Sequence, residues 1–209
     1  MILNETQIVD RLKHPDPEKR LVITPLIRPA EQFGPTSLDV RLGTDFQVLR
    51  RSQLTHLGVM QSPEVLSRQL VEAMQAVKVA PGQPFVLHPG EFALASTLEF
   101  MKIPLDIAAR LEGRSTWGRL GLQIHATAGF VDPGFCGALT FELSNVSNIP
   151  LELYPGVRIG QLCFYECAPT QLPYTDKPYT KYSGKITTAS SRFFMDPEYA
   201  RLAQALPAS

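Results

Sequence analysis

Apolar and polar residues alternate through much of the middle of the chain. In segment 138–144 the apolar positions fall on one face: Leu139, Phe141 and Leu143. The opposite face is polar: Thr140, Glu142 and Ser144. Segment 38–43 alternates in the same way, and 157–165 is apolar on both faces, as in a central strand. A period of two is typical of half-buried strands, so the pattern predicts a mainly β domain from about residue 36 to residue 168.

Two stretches depart from this period. Asn4-Glu5-Thr6-Gln7 has the form of a capping box and predicts a short first helix. Ser62-Pro63 predicts a second helix start, followed by apolar residues at helical spacing: Leu66, Leu70, Ala73, Met74 and Val77. We therefore predict one β domain over 1–168 with a helical excursion near 62–78. An irregular tail or lid is expected over 169–209, with a short final helix beginning at Asp196-Pro197.

Composition narrows the class of protein. The chain of 209 residues has 18 prolines and 14 glycines, which suits short strands joined by turns. Its 20 basic and 20 acidic residues are mixed along the chain, which argues against nucleic-acid and anionic-membrane partners. No apolar run approaches the length of a transmembrane helix, and MILNETQIVDRL lacks the layout of a signal peptide. With only three cysteines, a cytoplasmic protein is expected.

Several common catalytic signatures are missing. The four histidines stand in the sequences His14-Pro-Asp, His56-Leu-Gly, His88-Pro-Gly and His125-Ala-Thr, so none begins an H-x-E pair. Cys163 and Cys167 are four apart rather than three, and Cys136 is distant, so the zinc-deaminase signature is absent. We expect no zinc and no other metal held by protein ligands.

The stretch LEGRSTWGRLGL at 111–122 has the residues of an anion cradle. Arg114 and Arg119 supply forked donors, and Ser115 and Thr116 add hydroxyls. A turn beginning at Ser115 would direct backbone N–H groups toward a phosphate. An ordinary charged surface turn explains the same cluster equally well.

Two carboxylates are candidates for catalysis or binding. Asp132 precedes Pro133-Gly134, where it would either cap the turn or accept a hydrogen bond from a sugar hydroxyl. Glu142 shares the polar face of its strand with Thr140. It becomes an acid–base candidate only if that face lines a cleft that also holds Ser115 and Arg119, because otherwise it is simply solvated.

Together, these motifs resemble those of the dCTP deaminase family, relatives of the trimeric dUTPases. The similarity runs from TSLDVRLG (36–43) through FVLHPGEFALASTLE, LEGRSTWGRLGL and HATAGFVDPGFCGALTFELSN to LYPGVRIGQLCFYE, KYSGK and SSR. It covers most of the chain, and the motif text is nearest to that of the bifunctional, dUMP-forming members. The helix near 62–78 and the last fifteen or so residues are not covered.

This resemblance implies a distorted jelly-roll of the dUTPase type, assembled as a homotrimer with sites between subunits. It implies zinc-independent hydrolytic deamination of dCTP, with magnesium carried by the triphosphate. Glu142 would shuttle the proton, Ser115 and Arg119 would position the water and hold the glutamate, and Asp132 would face the deoxyribose. The remaining nucleotide-binding residues implied are Arg114, Thr116, Trp117, Gly118, Thr140, Phe141, Gln161, Tyr174, Lys181 and Lys185.

Alternatives remain within this resemblance. Lys185 stands where the family usually has glutamine, so the tail over the nucleotide is expected to differ. Gly129 and Asp132 favour dUMP and diphosphate as products over dUTP, by a narrow margin. A dUTPase shares part of the motif text, and a non-catalytic nucleotide-binding module would keep the same scaffold.

Overall fold

The alternating segments form strands in a computed structural model, which describes residues 1–50, 56–58, 61–177, 180–188, 190–199 and 201. The strands are β1 (Val22–Thr24), β2 (Leu38–Leu49), β3 (Met74–Lys78), β4 (Phe85–Leu87), β5 (Phe92–Lys102), β6 (Ile107–Gly113), β7 (Leu122–Gln123), β8 (Phe130–Val131), β9 (Cys136–Asn145), β10 (Leu151–Leu153) and β11 (Arg158–Glu166). The helices are α1 (Glu5–Leu12), α2 (Pro29–Gln32), α3 (Pro63–Ala73) and α4 (Ser115–Gly118). Two 3-10 turns follow in the tail, Tyr174–Asp176 and Phe193–Met195.

One curled antiparallel sheet organises the molecule. Its strands lie in the order β7-β9-β5-β2-β11-β6-β8, with β1 added to β5 and β3 added to β2, while β10 and β4 form a separate pair. Register shifts interrupt β2 between Leu42 and Phe46 and β5 between Ser96 and Phe100, where the ladder is irregular. Such irregularities bend strands and increase their twist. The prediction of a mainly β, distorted jelly-roll fold is confirmed.

The core lies inside the curl of this sheet. Phe141 and Leu143 are fully buried there, as the alternation of β9 predicts, while Leu139 is only partly buried. The rings of Phe46 and Phe85 stack with centroids 4.3 Å apart. The polar face of β9, with Thr140 and Glu142, is left on the other side of the strand.

The two helix predictions have different outcomes. In α1 the capping box is present: Gln7 N donates to Asn4 Oδ1 at 2.9 Å and Asn4 N to Gln7 Oε1 at 3.0 Å. For the excursion near 62–78 the start is right, since Ser62 caps α3. Its continuation to residue 78 is wrong, because Met74–Lys78 forms β3 against β2. The long edge of β2 offers a ladder to this segment, and tertiary pairing overrides helical spacing.

The tail beyond residue 168 is irregular, as expected, and it is attached to the sheet. Gly184 N donates to Cys136 O, and Ala138 N donates to Lys185 O, both at 2.8 Å, so the tail is hydrogen-bonded to the start of β9. Residues 197–199 are helical, in the place predicted for the final helix; residues 200 and 202–209 lie outside the described part. Within the described ranges, no helix is long and apolar enough to cross a bilayer.

Candidate active site

A cavity of about 510 Å³ lies between the polar face of β9, the turn after β8 and the tail. This volume is within the usual range for small-molecule sites. Five of the residues singled out in the sequence line it: Asp132, Thr140, Glu142, Tyr174 and Lys185. The condition placed on Glu142 is therefore met only in part: its face of the strand lines a cavity, but Ser115 and Arg119 do not line it.

Glu142 is held in place by the loop that follows β7. Its backbone N donates to Ile124 O at 2.9 Å, and its Oε2 accepts from Ala126 N at 2.8 Å. Its Oε1 has no hydrogen-bond partner among the residues that the structure describes. One oxygen of the carboxylate is thus anchored by the backbone, and the other is available to a water molecule or a ligand in the cavity.

Asp132 begins the turn into β9 and has two kinds of contact. Its backbone O accepts from Phe135 N at 3.2 Å, which closes the turn, and its Oδ2 lies 2.7 Å from Lys177 Nζ. The turn requires Gly134, which has a φ of +81° and whose Cβ, if present, would lie 2.7 Å from Pro173 Cβ. The tail thus packs directly on the Asp132 turn.

Tyr174 closes the same corner of the cavity. Its backbone N donates to Pro133 O at 2.9 Å, and its ring lies 5.6 Å from that of Phe135, centroid to centroid. Burial, more than the neighbouring Tyr182 or Asp132, raises the pKa of its phenol above the ordinary value. The hydroxyl therefore stays protonated and can donate a hydrogen bond.

The predicted anion cradle forms a second, separate group around α4. Arg114 Nε lies 3.2 Å from Asp39 Oδ2, and Arg114 Nη1 and Trp117 Nε1 donate to Arg158 O at 3.1 and 3.0 Å. The turn predicted to begin at Ser115 is this one-turn helix. Four residues of the group are exposed: Ser115, Thr116, Gly118 and Arg119. Within the described chain, neither Ser115 Oγ nor the Arg119 guanidinium has a hydrogen-bond partner, and neither residue lines the cavity.

Gln161 also belongs to this second group. Its Oε1 accepts from Ser37 Oγ at 3.0 Å, and its Nε2 donates to Gly113 O at 3.4 Å. Beside it, Asp39 is mostly buried between Arg114 and Arg158. Burial raises the pKa of Asp39 and outweighs the lowering effect of the arginines.

Besides the group around α4, two further residues predicted to bind a nucleotide lie away from the cavity. The Phe141 side chain is fully buried in the core, because it belongs to the apolar set of β9. Lys181 Nζ instead pairs with Asp196 Oδ2 at 2.9 Å, and this hydrogen bond lowers the pKa of Asp196. Within this chain, neither side chain is placed to touch a molecule in the cavity.

Several residues of the cavity are absent from the predicted set. From the tail come Tyr182, Ser190 and Ser191, of which Tyr182 stands next to Lys181 in the motif KYSGK. Further apolar lining residues come from β2, α3, β3, β5 and the segment before α3: Leu49, Leu57, Leu70, Met74, Phe92 and Leu94. No motif could have found them, because they are ordinary apolar positions of separate elements that the sheet brings together.

The described residues contain no group of three or more His, Cys, Asp or Glu side chains placed to hold a metal ion. The cavity offers instead two carboxylates, a lysine, tyrosines and hydroxyls. Such a set suits recognition of a polar small molecule and proton transfer by a carboxylate. The fold and the cavity together define a curled antiparallel β domain with a small-molecule site that carries a carboxylate.

Comparison with known proteins identifies the group to which this domain belongs. The family described as dCTP deaminase-like matches residues 2–167. A protein of Dictyoglomus thermophilum named "dCTP deaminase, dUMP-forming" is 42% identical over 94% of this chain and 96% of its own length. A protein of the same name from Mycobacterium sp. strain KMS is 48% identical over 78% of this chain and 83% of its own. The chain belongs to the dCTP deaminase-like family.

A solved structure agrees on the fold. The 2'-deoxycytidine 5'-triphosphate deaminase of Agrobacterium tumefaciens superposes with a TM-score of 0.57 at 24% identity. The match covers 78% of this chain and 47% of the other. At that identity, the agreement concerns the course of the backbone.

Proposed function

We propose that this protein removes the 4-amino group of dCTP hydrolytically, without zinc, and also releases diphosphate, so that dUMP is formed. The observation that carries the proposal is the placement of Glu142 in the cavity, with one carboxylate oxygen anchored by Ala126 N at 2.8 Å. Membership in the family and relatives named "dCTP deaminase, dUMP-forming" support it. The enzyme would act in pyrimidine deoxynucleotide metabolism, in the cytoplasm.

Glu142 would act as the proton shuttle. Water is a poor nucleophile, so a base must take a proton as the oxygen attacks C4 of the cytosine ring. The carboxylate would accept that proton, deliver it to the ring nitrogen, and then assist the departure of ammonia. The anchored Oε2 keeps the free oxygen oriented during these steps, which is the geometric requirement for efficient transfer.

The exposed group around α4 would act on a neighbouring subunit. In this chain, Ser115 and Arg119 lie outside the cavity that contains Glu142, although their proposed roles require contact with the same substrate. A homotrimer in which α4 of one subunit covers the cavity of the next would satisfy both conditions. Arg114, Thr116, Trp117, Gly118 and Gln161 would then meet the triphosphate at this interface.

Magnesium would enter as part of the substrate. It is a hard cation that prefers phosphate oxygens to dedicated protein ligands, and it would neutralise part of the triphosphate charge. Lys185, which lines the cavity, and the α4 arginines would supply the remaining positive charge.

Formation of dUMP requires a second water at the α-phosphate, beside the sugar. Asp132 is the carboxylate available there in our proposal. Gly129 is weaker support for this product than its sequence suggests, because the fold needs glycine for another reason. A Cβ at that position would lie 2.8 Å from Leu111 O. The main argument for dUMP is therefore Asp132 together with the names of the relatives.

One assay tests the function and its product. Purified protein with dCTP and magnesium should release ammonia and diphosphate in equal amounts, with dUMP as the nucleotide separated by chromatography. Release of ammonia while dUTP accumulates would indicate an enzyme that only deaminates dCTP. Hydrolysis of dUTP with no release of ammonia from dCTP would indicate a dUTPase. Binding without turnover of either would indicate a non-catalytic module.

Zinc independence has a separate test. Elemental analysis of the purified protein should find no stoichiometric zinc, and dialysis against a chelator followed by magnesium should restore full activity. One zinc per chain would contradict the proposed mechanism.

A further inference from the structure

An ion pair ties the tail to the turn that carries Asp132. Lys177 Nζ lies 2.7 Å from Asp132 Oδ2 and 5.7 Å from the centroid of the Tyr174 ring. Asp132 and Tyr174 both line the cavity. The ammonium group is therefore close to two residues of the cavity, one of which, Asp132, has a role in the proposed function.

The backbone around Lys177 is fixed on both sides. The 3-10 turn Tyr174–Asp176 comes directly before it, and that turn is anchored by Tyr174 N donating to Pro133 O at 2.9 Å. On the other side, Thr180 N donates to Lys177 O at 3.0 Å. The side chain of Lys177 thus extends from a backbone position that is held beside Asp132.

The ion pair occupies only one oxygen of the Asp132 carboxylate. Oδ2 contacts Lys177, whereas Oδ1 has no hydrogen-bond partner within the described ranges of the chain. The terminal torsion of an aspartate is broad when nothing restrains it. With Oδ2 held by the ammonium, the direction of Oδ1 is set, and a ligand hydroxyl in the cavity can donate to it.

We propose that Lys177 is a positioning residue for the sugar subsite: it orients Asp132 so that Asp132 Oδ1 accepts a hydrogen bond from the 3'-hydroxyl of the deoxynucleotide. This inference rests on the proposed function, because it takes the ligand to be dCTP. The same contact also fits the opposite role, in which Lys177 blocks Asp132 and must be displaced before the substrate binds. The two roles predict opposite changes in affinity when the charge is removed.

Lys177→Met removes the charge and keeps most of the side-chain length. Both partners are partly exposed, with side-chain accessibilities of 43% and 32%, so the pair is screened and its effect is modest. We expect KM for dCTP to rise about three- to fivefold and kcat for ammonia release to stay within about twofold, as for a lost binding interaction. Lys177→Arg should restore most of the affinity.

The matched control is Lys13→Met, at the C-cap of α1, where the lysine has no ion pair within the described chain. It should leave KM and kcat unchanged. The substrate 2',3'-dideoxy-CTP provides the specific readout, because it lacks the hydroxyl that Asp132 would hold. With it, wild type and Lys177→Met should have the same KM within about twofold.

Three outcomes would overturn the inference: a lower KM in Lys177→Met, an unchanged KM, or an equal rise with the dideoxy substrate. Calorimetric titration of dCTP into Glu142→Gln and Glu142→Gln/Lys177→Met gives a readout that needs no turnover. If wild type releases no ammonia but the second protein binds more weakly, the proposed reaction fails and the role of Lys177 stands. If neither protein binds dCTP, both proposals fail.

Discussion

The two walls of the cavity are built by different means. On the sheet side, Thr140 and Glu142 belong to β9, where they pair with Ser96 and Leu94 of β5, respectively, in the regular part of the ladder. On the tail side, Lys185 is held by a backbone hydrogen bond from Ala138 N, and the described residues on either side of it, 180–188, form no helix or strand. Residues on strands are placed more accurately than residues on loops. On the proposed function, the sheet wall would carry out proton transfer and the tail wall would hold the substrate.

The largest expected effect falls on the sheet wall. Glu142→Gln keeps the shape of the side chain and can still accept from Ala126 N, but it cannot take a proton. We expect kcat for ammonia release to fall about a hundredfold or more, while dCTP binding measured by calorimetry changes little. If the variant turned over dCTP at nearly the wild-type rate, Glu142 would not be the proton shuttle. The two walls would then not differ in the way proposed.

A second test concerns the stability of the sheet wall itself. Glu99 of β5 is fully buried, where it accepts from Arg41 N at 2.8 Å and Gln32 Nε2 at 3.2 Å. Burial raises its pKa from 4.5 to about 7, so between these values the folded state binds more protons than the unfolded state. This contribution to stability is complete below pH 4.5 and is lost as the pH rises to about 7, up to roughly 3 kcal/mol.

Glu99→Gln removes the titration and should flatten the pH dependence. Urea unfolding of wild type and variant at pH 5 and pH 8 measures the free energy of unfolding at each pH. This free energy should fall less between pH 5 and pH 8 in the variant than in wild type. Parallel curves for the two proteins would show that Glu99 does not titrate in this range.

On the tail wall, Lys185→Met should change binding rather than chemistry. The backbone O of Lys185 still accepts from Ala138 N, so the tail stays attached while the charge in the cavity is lost. We expect KM for dCTP to rise about tenfold and kcat to remain within about threefold. Steady-state kinetics check this, and a fall in kcat as large as that of Glu142→Gln would contradict the comparison.

The smallest effect is expected at Lys181. Its side chain pairs with Asp196 rather than lining the cavity, so Lys181→Met should cost less than about 1 kcal/mol of unfolding free energy, as for other partly exposed pairs. Thermal unfolding and KM for dCTP provide the two measurements. A tenfold rise in KM would show that Lys181 moves to the nucleotide on binding, as its motif implies.

The sequence pattern predicts the sheet wall better than the tail wall. Alternation on β9 places Phe141 in the core and Glu142 outside it, because a strand has only two faces. No such rule governs the tail, where the partners of Lys177 and Lys181 depend on how the segment packs on the Asp132 turn. The apolar lining of the cavity was also unpredictable, since Leu70 and Phe92 come to the same cavity only through folding. The end of α3 was misjudged because the β2 edge pairs with the segment after it.

The attachment of the tail to β9 has a consequence for how activity arises during protein synthesis. The ribosome makes the N-terminal part of a chain first, and domains fold as they emerge. The last strand of the sheet, β11, ends at Glu166, whereas the segment hydrogen-bonded to the first residues of β9 lies about eighteen residues later, at Gly184 and Lys185. An unfinished chain can therefore complete its sheet and still lack one wall of its cavity. On the proposed function, a molecule cut between Glu166 and Gly184 would lack the Lys185 side of its cavity, and we expect it to hold dCTP weakly.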